Sequence, residues 1–381
     1  MVDLTQPGGG LGIPMPVYSL RSSCTFGSHV RLAFCKRPTD YTGELPRLLS
    51  DIAMAARGIG ACIRRSGIPG SAHIGTPSSR SSSIISDVTS PMSESSFASS
   101  FLSTSAMSTR EPLVEVTADI ATRILYEALY HDGYLCILLS NNSDAPLLPP
   151  NDCPFGSYVL TFSALERDPL FPCDSVSGTI FAVYKRISAE GNRGTEEDLL
   201  RKGSEQVAAG YILYGNNTVL VYTVGQGVHS FSMHPSVKEF FAHSLSLRVP
   251  HANRSLFINF DEEQSWDADT RRAFHSLTDH DFEIQYSSNI LADFHHQLGA
   301  GGVAAFPKST QCPDGPLDYL TQAAPLAFII EQAGGVATDG QSRLLEKKAK
   351  SLHDKTALFM GCPVSMSLLS NALKAQQVWL L

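Results

Sequence analysis

Five apolar segments between residues 133 and 224 constrain the fold of this 381-residue chain more than any other feature. Each has the length of a strand and is rich in β-branched and aromatic residues, and turn-forming residues separate most of them. The segments lie near residues 133–140, 158–162, 179–186, 207–214 and 218–224. A hairpin-like segment follows at 227–231. The pattern predicts one large sheet in the first part of the chain.

The second part of the chain alternates between strand and helix patterns. The predicted order is strand 255–260, helix 289–298, strand 303–306, helix 325–333 and strand 357–360. Two amphipathic helices, over 44–66 and 117–130, precede the first sheet. This order indicates an α/β fold of the layered α+β sandwich type, with helices packed on sheets.

Composition excludes several functional classes. A formal net charge of −8 argues against nucleic acid as a partner. We find no apolar run that approaches the roughly 18 residues of a membrane span, so we expect no membrane partner. The 8 cysteines show no metal-ligand spacing, and we expect a reduced, cytoplasmic setting.

Two segments have a composition that is typical of chain segments that do not fold independently. Residues 1–40 mix Gly, Pro and Ser with little periodicity, and we expect a flexible N-terminal arm. Residues 70–108 are rich in Ser and poor in charge, so they bury too little apolar surface to offset the entropy of ordering. We predict that this insert is disordered.

Several short motifs occur in a recognisable order. They are Thr-Gly-Glu-Leu at 42–45, Phe-Ser-Ala-Leu-Glu-Arg at 162–167, Val-Ala-Ala-Gly-Tyr-Ile-Leu-Tyr-Gly at 207–215, Ala-Asp-Phe-His at 292–295 and Glu-Gln-Ala-Gly-Gly at 331–335. With these spacings, residues 41–365 resemble the class I fructose-1,6-bisphosphatase and sedoheptulose-bisphosphatase family. The resemblance implies a sugar-phosphatase fold with two subdomains, which we place at 41–243 and 244–381.

The resemblance also implies a metal site that is degenerate here. The family holds divalent cations with five acids, whose charge supports phosphate-ester hydrolysis. The matched positions are Asn141, Asn142, Ser163, Glu166 and Gln322. Only one of the five is an acid, so we expect no intact catalytic set and no metal cofactor, with magnesium as the alternative.

A rival alignment shifts the central motif by five residues. Asp168-Pro169-Leu170 would then begin the motif, but Phe171 would stand where the second Asp belongs. We prefer to interpret Asp168-Pro169 as a turn.

The resemblance implies two further pockets. In the sugar-phosphate pocket, Asn259 and Tyr286 match family residues, whereas the matched cations are replaced by Gln285 and Pro316. In the allosteric pocket, which in the family takes AMP at a helix N-terminus, the matched residues are Thr42, Gly43, Glu44, Tyr158 and Lys185. Thr42 has a simpler interpretation as a helix N-cap.

These features leave three functional hypotheses. The first is a catalytically inactive pseudoenzyme with a regulatory or assembly role in carbohydrate metabolism, in particular gluconeogenesis. The alternatives are an active, magnesium-dependent fructose-1,6- or sedoheptulose-1,7-bisphosphatase, and a sensor that binds a nucleotide or a sugar phosphate. We expect a homo-oligomer, either a dimer or a tetramer, or a mixed assembly with an active bisphosphatase.

Overall fold

The computed structural model describes residues 24–35, 43–65, 116–167, 176–251, 253–285 and 289–374, and the statements below concern these residues. Four features of the sequence lie outside them: most of the expected N-terminal arm, the whole Ser-rich segment 70–108, the rival motif at 168–170, and both Thr42 and Tyr286.

The first part of the described chain forms a seven-stranded sheet with its strands in sequence order. The strands are β1 (Leu135–Ser140), β2 (Tyr158–Glu166), β3 (Ser177–Lys185), β4 (Gln206–Tyr214), β5 (Thr218–Thr223), β6 (Val228–Met233) and β7 (Phe240–Leu247). The pair β1–β2 is parallel, and every later pair is antiparallel. All five predicted strands are present, and β2 continues beyond the predicted end to Glu166.

The second part forms a five-stranded sheet in the order β12, β14, β10, β8, β9 within the described chain. The strands are β8 (Ser255–Phe257), β9 (Glu283–Gln285), β10 (Val303–Phe306), β12 (Val336–Thr338) and β14 (Leu358–Gly361). A separate two-stranded ribbon pairs β11 (Leu317–Asp318) with β13 (Lys355–Thr356).

The helices of the described chain cover both sheets. They are α1 (Phe26–Cys35), α2 (Glu44–Arg65), α3 (Ala118–Leu129), α4 (Glu196–Leu199), α5 (Ala268–Asp279), α6 (Ile290–Ala300), α7 (Ala324–Gln332) and α8 (Pro363–Lys374). The apolar residues of α2 recur at helical spacing, with Leu48, Ile52 and Ile59 buried. The side chain of Thr117 accepts a hydrogen bond from the Ile120 N–H and so caps α3.

Three groups of buried apolar residues arrange these elements in layers. Helices α1, α2 and α3 pack on one face of the seven-stranded sheet. Helices α6 and α7 fill the space between the two sheets. Helices α5 and α8 cover the outer face of the five-stranded sheet. This layered α/β arrangement agrees with the expected fold class.

Two details differ from the expectations. Helix α1 lies inside the segment expected to be a flexible arm, because Phe26, Val30 and Phe34 recur every four residues and are all buried. The proposed subdomain boundary at 243/244 falls within β7, so a division between β7 and β8 fits the strands better. The two-part division itself stays a prediction. No described helix is long and apolar enough to cross a membrane.

Candidate functional site

The end of β2 carries the acid that the sequence comparison singled out. The pairing of β2 with β3 is irregular between Ser163 and Glu166, which is typical of a β-bulge. Thr179 on β3 donates its hydroxyl to the Ala164 carbonyl at 2.7 Å within this irregular stretch. The bulge brings two side chains together, and the Ser163 hydroxyl donates to the Glu166 carboxylate.

A second polar side chain reaches Glu166 from the other half of the chain. Gln322 lies in a π-helical turn, Tyr319–Ala323, which directly precedes α7. Its amide nitrogen donates to Glu166 Oε1 at 2.6 Å, and its amide oxygen accepts the Asp318 backbone N–H at 2.8 Å. The turn is fixed to β2 because Thr161 donates to the Leu320 carbonyl at 2.9 Å. The Gln322 amide is therefore held at both of its polar atoms.

The protonation of Glu166 reflects these surroundings. Burial raises the pKa of its carboxyl group, and the hydrogen bonds from Ser163 and Gln322 oppose this rise. The nearby Asp318 carboxylate raises the pKa further, whereas the Lys355 ammonium lowers it. The net pKa lies above the ordinary value for Glu.

An ion pair that sequence reasoning missed lies beside this group. The Lys355 ammonium approaches Asp318 Oδ1 at 3.1 Å, outside the angular range of a hydrogen bond. His353 Nδ1 lies 4.0 Å from the same oxygen. Asp318 could have been noticed four residues before Gln322, but Lys355 comes from β13 and carries no local signal in the sequence.

The two asparagines at the matched Glu-Glu positions follow β1. The Asn141 backbone N–H donates to the Phe162 carbonyl at 3.1 Å, and its buried Oδ1 has no hydrogen-bond partner among the described residues. Asn142 donates its amide to Asp119 Oδ1 at 3.0 Å, in the first turn of α3. The structure thus brings Ser163 and Gln322 to Glu166 but directs Asn142 towards α3.

The residues present do not fit the five-acid magnesium site of the family. Glu166 is the single carboxylate at the five matched positions, and two neutral side chains already hydrogen-bond to it. A further acid whose charge acts on Glu166, Asp318, is paired with Lys355. Within the described ranges, no cluster of three or more His, Cys, Asp or Glu side chains could hold a metal ion. Magnesium prefers several carboxylate oxygens in octahedral positions.

The predicted sugar-phosphate residues have a local role where the structure describes them. Asn259 caps the short 3-10 helix Phe260–Ser265, since its side-chain oxygen accepts the Asp261 N–H at 3.1 Å. Its amide nitrogen donates to Glu262 at 3.1 Å. A role for Asn259 and Tyr286 in substrate binding stays a prediction.

The residues predicted to bind a nucleotide lie in two places. Gly43 adopts φ +77° directly before Glu44, which begins α2. Tyr158 and Lys185 lie opposite each other at the β2–β3 pairing. A cavity of about 460 Å³ opens between α1, α2 and the turn before β1, and it is lined by Gly27, Arg31, Gly43, Pro46, Arg47, Ser50, Asp51, Asp132 and Tyr134. Of the predicted set, Gly43 is the residue that lines this cavity.

The same cavity contains a carboxyl pair that sequence reasoning did not identify. Burial raises the pKa of Asp51 to about 7, and the charge of Asp132 and a hydrogen bond with it contribute to the rise. The Arg47 guanidinium opposes the effect. Residues 51 and 132 are far apart in sequence, so no local motif indicated their contact.

Comparisons with known proteins agree with the architecture. A family model described as "Fructose-1-6-bisphosphatase, N-terminal domain" matches residues 113–244, and one described as "Fructose-1-6-bisphosphatase, C-terminal domain" matches residues 249–374. A class 1 fructose-1,6-bisphosphatase of Chloroherpeton thalassium is 37% identical over 241 residues, which cover 62% of this chain and 69% of the relative. One from Maridesulfovibrio salexigens is 34% identical over 268 residues, which cover 68% of this chain and 79% of the relative.

Solved structures show the same fold. The holo form of Leishmania major fructose-1,6-bisphosphatase superposes with a TM-score of 0.73 at 22% identity, covering 90% of this chain and 98% of the other. Its apo form gives a TM-score of 0.74 at 21% identity, covering 93% and 99%.

These relatives correct one expectation. The expectation of no metal cofactor is wrong, because the relatives are class 1 fructose-1,6-bisphosphatases, enzymes that need divalent metal ions. Magnesium, the alternative, is the cofactor consistent with the matches. The five matched positions still supply one carboxylate. The chain therefore matches the family in sequence and fold, but its residues at these positions do not match the family's metal ligands.

Proposed function

Because this chain belongs to the class 1 fructose-1,6-bisphosphatase family, we propose that it is a fructose-1,6-bisphosphatase-like protein with a regulatory or assembly role in carbohydrate metabolism. In this proposal the pocket at Glu166 does not turn over sugar bisphosphates at ordinary enzyme rates. The observation that carries the proposal is the hydrogen-bonded group of Ser163, Glu166 and Gln322.

The chemistry of phosphoryl transfer supports this proposal. Hydrolysis of a phosphate ester requires cationic charge on the transferring group and an activated water. A magnesium ion bound at Glu166 would gain one carboxylate where the family supplies five. Neutral amide and hydroxyl oxygens can ligate a cation, but they do not supply the charge that fixes it in a catalytic position.

A phosphate-release assay tests the proposal. Purified full-length protein is incubated with magnesium or manganese and either fructose-1,6-bisphosphate or sedoheptulose-1,7-bisphosphate. We expect release at or near the rate without protein. Turnover at ordinary enzyme rates that Glu166→Ala abolishes, and that the exposed-site control Glu190→Ala retains, would support the active bisphosphatase instead.

A second candidate function is small-molecule sensing without turnover. The cavity between α1 and α2 supports it, because two arginines line a concave site beside the start of a helix. AMP and fructose-1,6-bisphosphate are the two ligands to test by calorimetry. Arg47→Ala should weaken binding in this cavity, and Arg193→Ala, away from it, serves as the matched control.

The proposed role includes an assembly in the cytoplasm. We propose a homo-oligomer, a dimer or a tetramer, and an association with an active bisphosphatase as the alternative. Light scattering should give a mass of two or four times the 41.2 kDa of one chain. A monomer at micromolar concentration that also fails to associate with an active bisphosphatase would contradict an assembly role.

A further inference from the structure

Helix α1 contacts the seven-stranded sheet through two histidines and a tyrosine. His29 on α1 lies over Tyr222 of β5 and His229 of β6. The two imidazole centroids are 4.5 Å apart with an interplanar angle of 62°. We call these three residues the His29 cluster.

The hydrogen bonds of the cluster indicate where protons can add. His29 Nδ1 and the Tyr222 hydroxyl are 2.7 Å apart. His229 Nδ1 lies 2.8 Å from the Leu245 carbonyl, which can only accept, so this nitrogen carries a hydrogen in the neutral ring. A second proton on His229 would therefore enter at Nε2 and place a positive charge against the neighbouring imidazole.

Apolar and backbone contacts also hold α1 against the sheet. Phe26 packs edge-to-face on Tyr222 and Phe231, with centroid distances of 5.1 and 5.3 Å. The chain before the helix is tied to β7, because the Ala242 N–H donates to the Cys24 carbonyl at 2.9 Å. The His29 cluster thus adds a polar, titratable contact to these apolar and backbone contacts.

We propose that the His29 cluster is a pH-sensitive contact that docks α1 on the sheet at neutral pH and weakens when the His229 imidazole is protonated. Its consequence concerns the cavity described above, because Gly27 and Arg31 of α1 form one wall of it. Undocking of α1 would remove that wall and change access to the cavity.

Burial accounts for the direction of the effect. Burial lowers the pKa of His229 below its ordinary value of 6.5, although the hydrogen bond to Leu245 opposes the shift. The docked state therefore binds fewer protons than the undocked state in mildly acidic solution. The contribution of His229 to docking is therefore full above pH 6.5, the ordinary pKa of histidine, and is lost as the pH falls below it.

Other titratable and charged groups lie near α1, and an experiment must distinguish their effect on docking from that of the His29 cluster. Cys24 lies shortly before the start of α1, and Arg31 lies on the cavity side of the helix. The carboxyl pair of Asp51 and Asp132 lines the same cavity with Arg47. Between α2 and β7, Arg57 forms an ion pair with Glu239 at 2.9 Å.

Hydrogen exchange on the full-length protein tests the proposal. Exchange of the α1 backbone is measured at pH 7.5 and 5.5, corrected for intrinsic rates, with α3 as the internal reference. We expect α1 to lose more protection than α3 on acidification, because the docked state binds fewer protons than the undocked state. In His229→Asn, the Asn amide can still donate to Leu245, and we expect this extra loss to disappear.

Three controls make the outcome decisive. Tyr222→Phe should reduce α1 protection at both pH values, since it removes the hydroxyl that hydrogen-bonds to His29. His275→Asn, on the distant helix α5, should leave the effect unchanged. Equal protection of α1 at the two pH values, or an acid-induced loss that persists in His229→Asn and disappears in Asp51→Asn, would overturn the proposal.

Discussion

At the scale of single residues, the site depends on one carboxylate with neutral neighbours. Gln322 could be predicted from its position three residues before Pro325, and the structure places its amide 2.6 Å from Glu166. The position of Asn142 could not be predicted, because its partner Asp119 belongs to a helix whose orientation depends on tertiary packing. Sequence matching identifies the positions, but it does not specify where each side chain points.

Gln322→Glu tests how far this pocket depends on a neutral partner. The new carboxylate would lie within hydrogen-bond distance of Glu166, and two ionised groups at this distance repel each other. We expect the free energy of unfolding to fall by about 1–3 kcal/mol at pH 8, and by less at pH 5, where the pair can share a proton. Urea unfolding at both pH values measures the effect.

The isosteric control for this experiment changes a glutamine outside the pocket. Gln341→Glu lies in an exposed turn and should change stability little at either pH. Equal stability of Gln322→Glu and the unmodified protein at pH 8 would show that the pocket tolerates a second charge.

The carboxyl pair at Asp51 predicts a second pH dependence. The pKa of Asp51, about 7, lies above its ordinary value of 3.8, so the folded state binds the extra proton between these pH values. Stability should therefore decline as the pH rises towards and through 7. Asp51→Asn should remove most of this decline and stabilise the protein by about 1 kcal/mol at pH 8, a figure discounted because solvent screens a partly exposed pair.

Thermal unfolding at pH 5.5 and pH 8 checks this prediction. Asp144→Asn, at an exposed position in the turn after β1, is the matched control. The interpretation fails if both variants show the same pH dependence as the unmodified protein.

At the scale of secondary-structure elements, the regular strands could be predicted and several helices could not. The first five strands of the first sheet have mostly apolar, buried sequences, so a pattern of apolar residues predicts them, whereas β7 has a mixed sequence and is not predicted. Helix α5 has a charged sequence with four buried residues, and helix α1 lies in a stretch of mixed composition. Both helices are stabilised by packing on a sheet whose strands lie elsewhere in the sequence, so a short stretch of sequence does not predict them.

The connection after β3 depends on one buried acid, Asp198. Its carboxylate accepts backbone N–H groups from Ile187 at 2.7 Å, Ser188 at 2.9 Å and Thr195 at 2.8 Å. Burial alone would raise the pKa of Asp198, but these hydrogen bonds lower it to about 2. The carboxylate therefore fixes the loop between β3 and α4.

Asp198→Asn should destabilise the protein. The amide replaces an ionised acceptor with a neutral group that carries its own donors, and we expect a loss of about 2 kcal/mol at pH 7. The pKa of Asp198 in the folded protein lies below its ordinary value of 3.8, so the stabilising contribution is full above that value and is lost as the pH falls through about 2. Urea unfolding at pH 7 and pH 3 should show a smaller difference at the lower pH, and a difference that grows on acidification would contradict the account.

At the scale of the whole molecule, the fold follows the family, whereas we propose that the site departs from it. The order and spacing of short motifs sufficed to predict the layered α/β architecture, and the structure places two of them on regular elements, 207–215 along β4 and 292–295 within α6. The ion pair between Asp318 and Lys355 escaped prediction, since it depends on the pairing of β11 with β13. Such contacts can be identified when the pairing of the two strands is known.

The most direct test of the central claim is phosphate release from fructose-1,6-bisphosphate by the full-length protein in saturating magnesium or manganese. A class 1 fructose-1,6-bisphosphatase related to this chain serves as the positive control in the same buffer. The account predicts release at or near the rate without protein, because Glu166 alone cannot supply the charge of five acids. Turnover at ordinary enzyme rates that is lost in Glu166→Ala would contradict it and identify the chain as an active bisphosphatase.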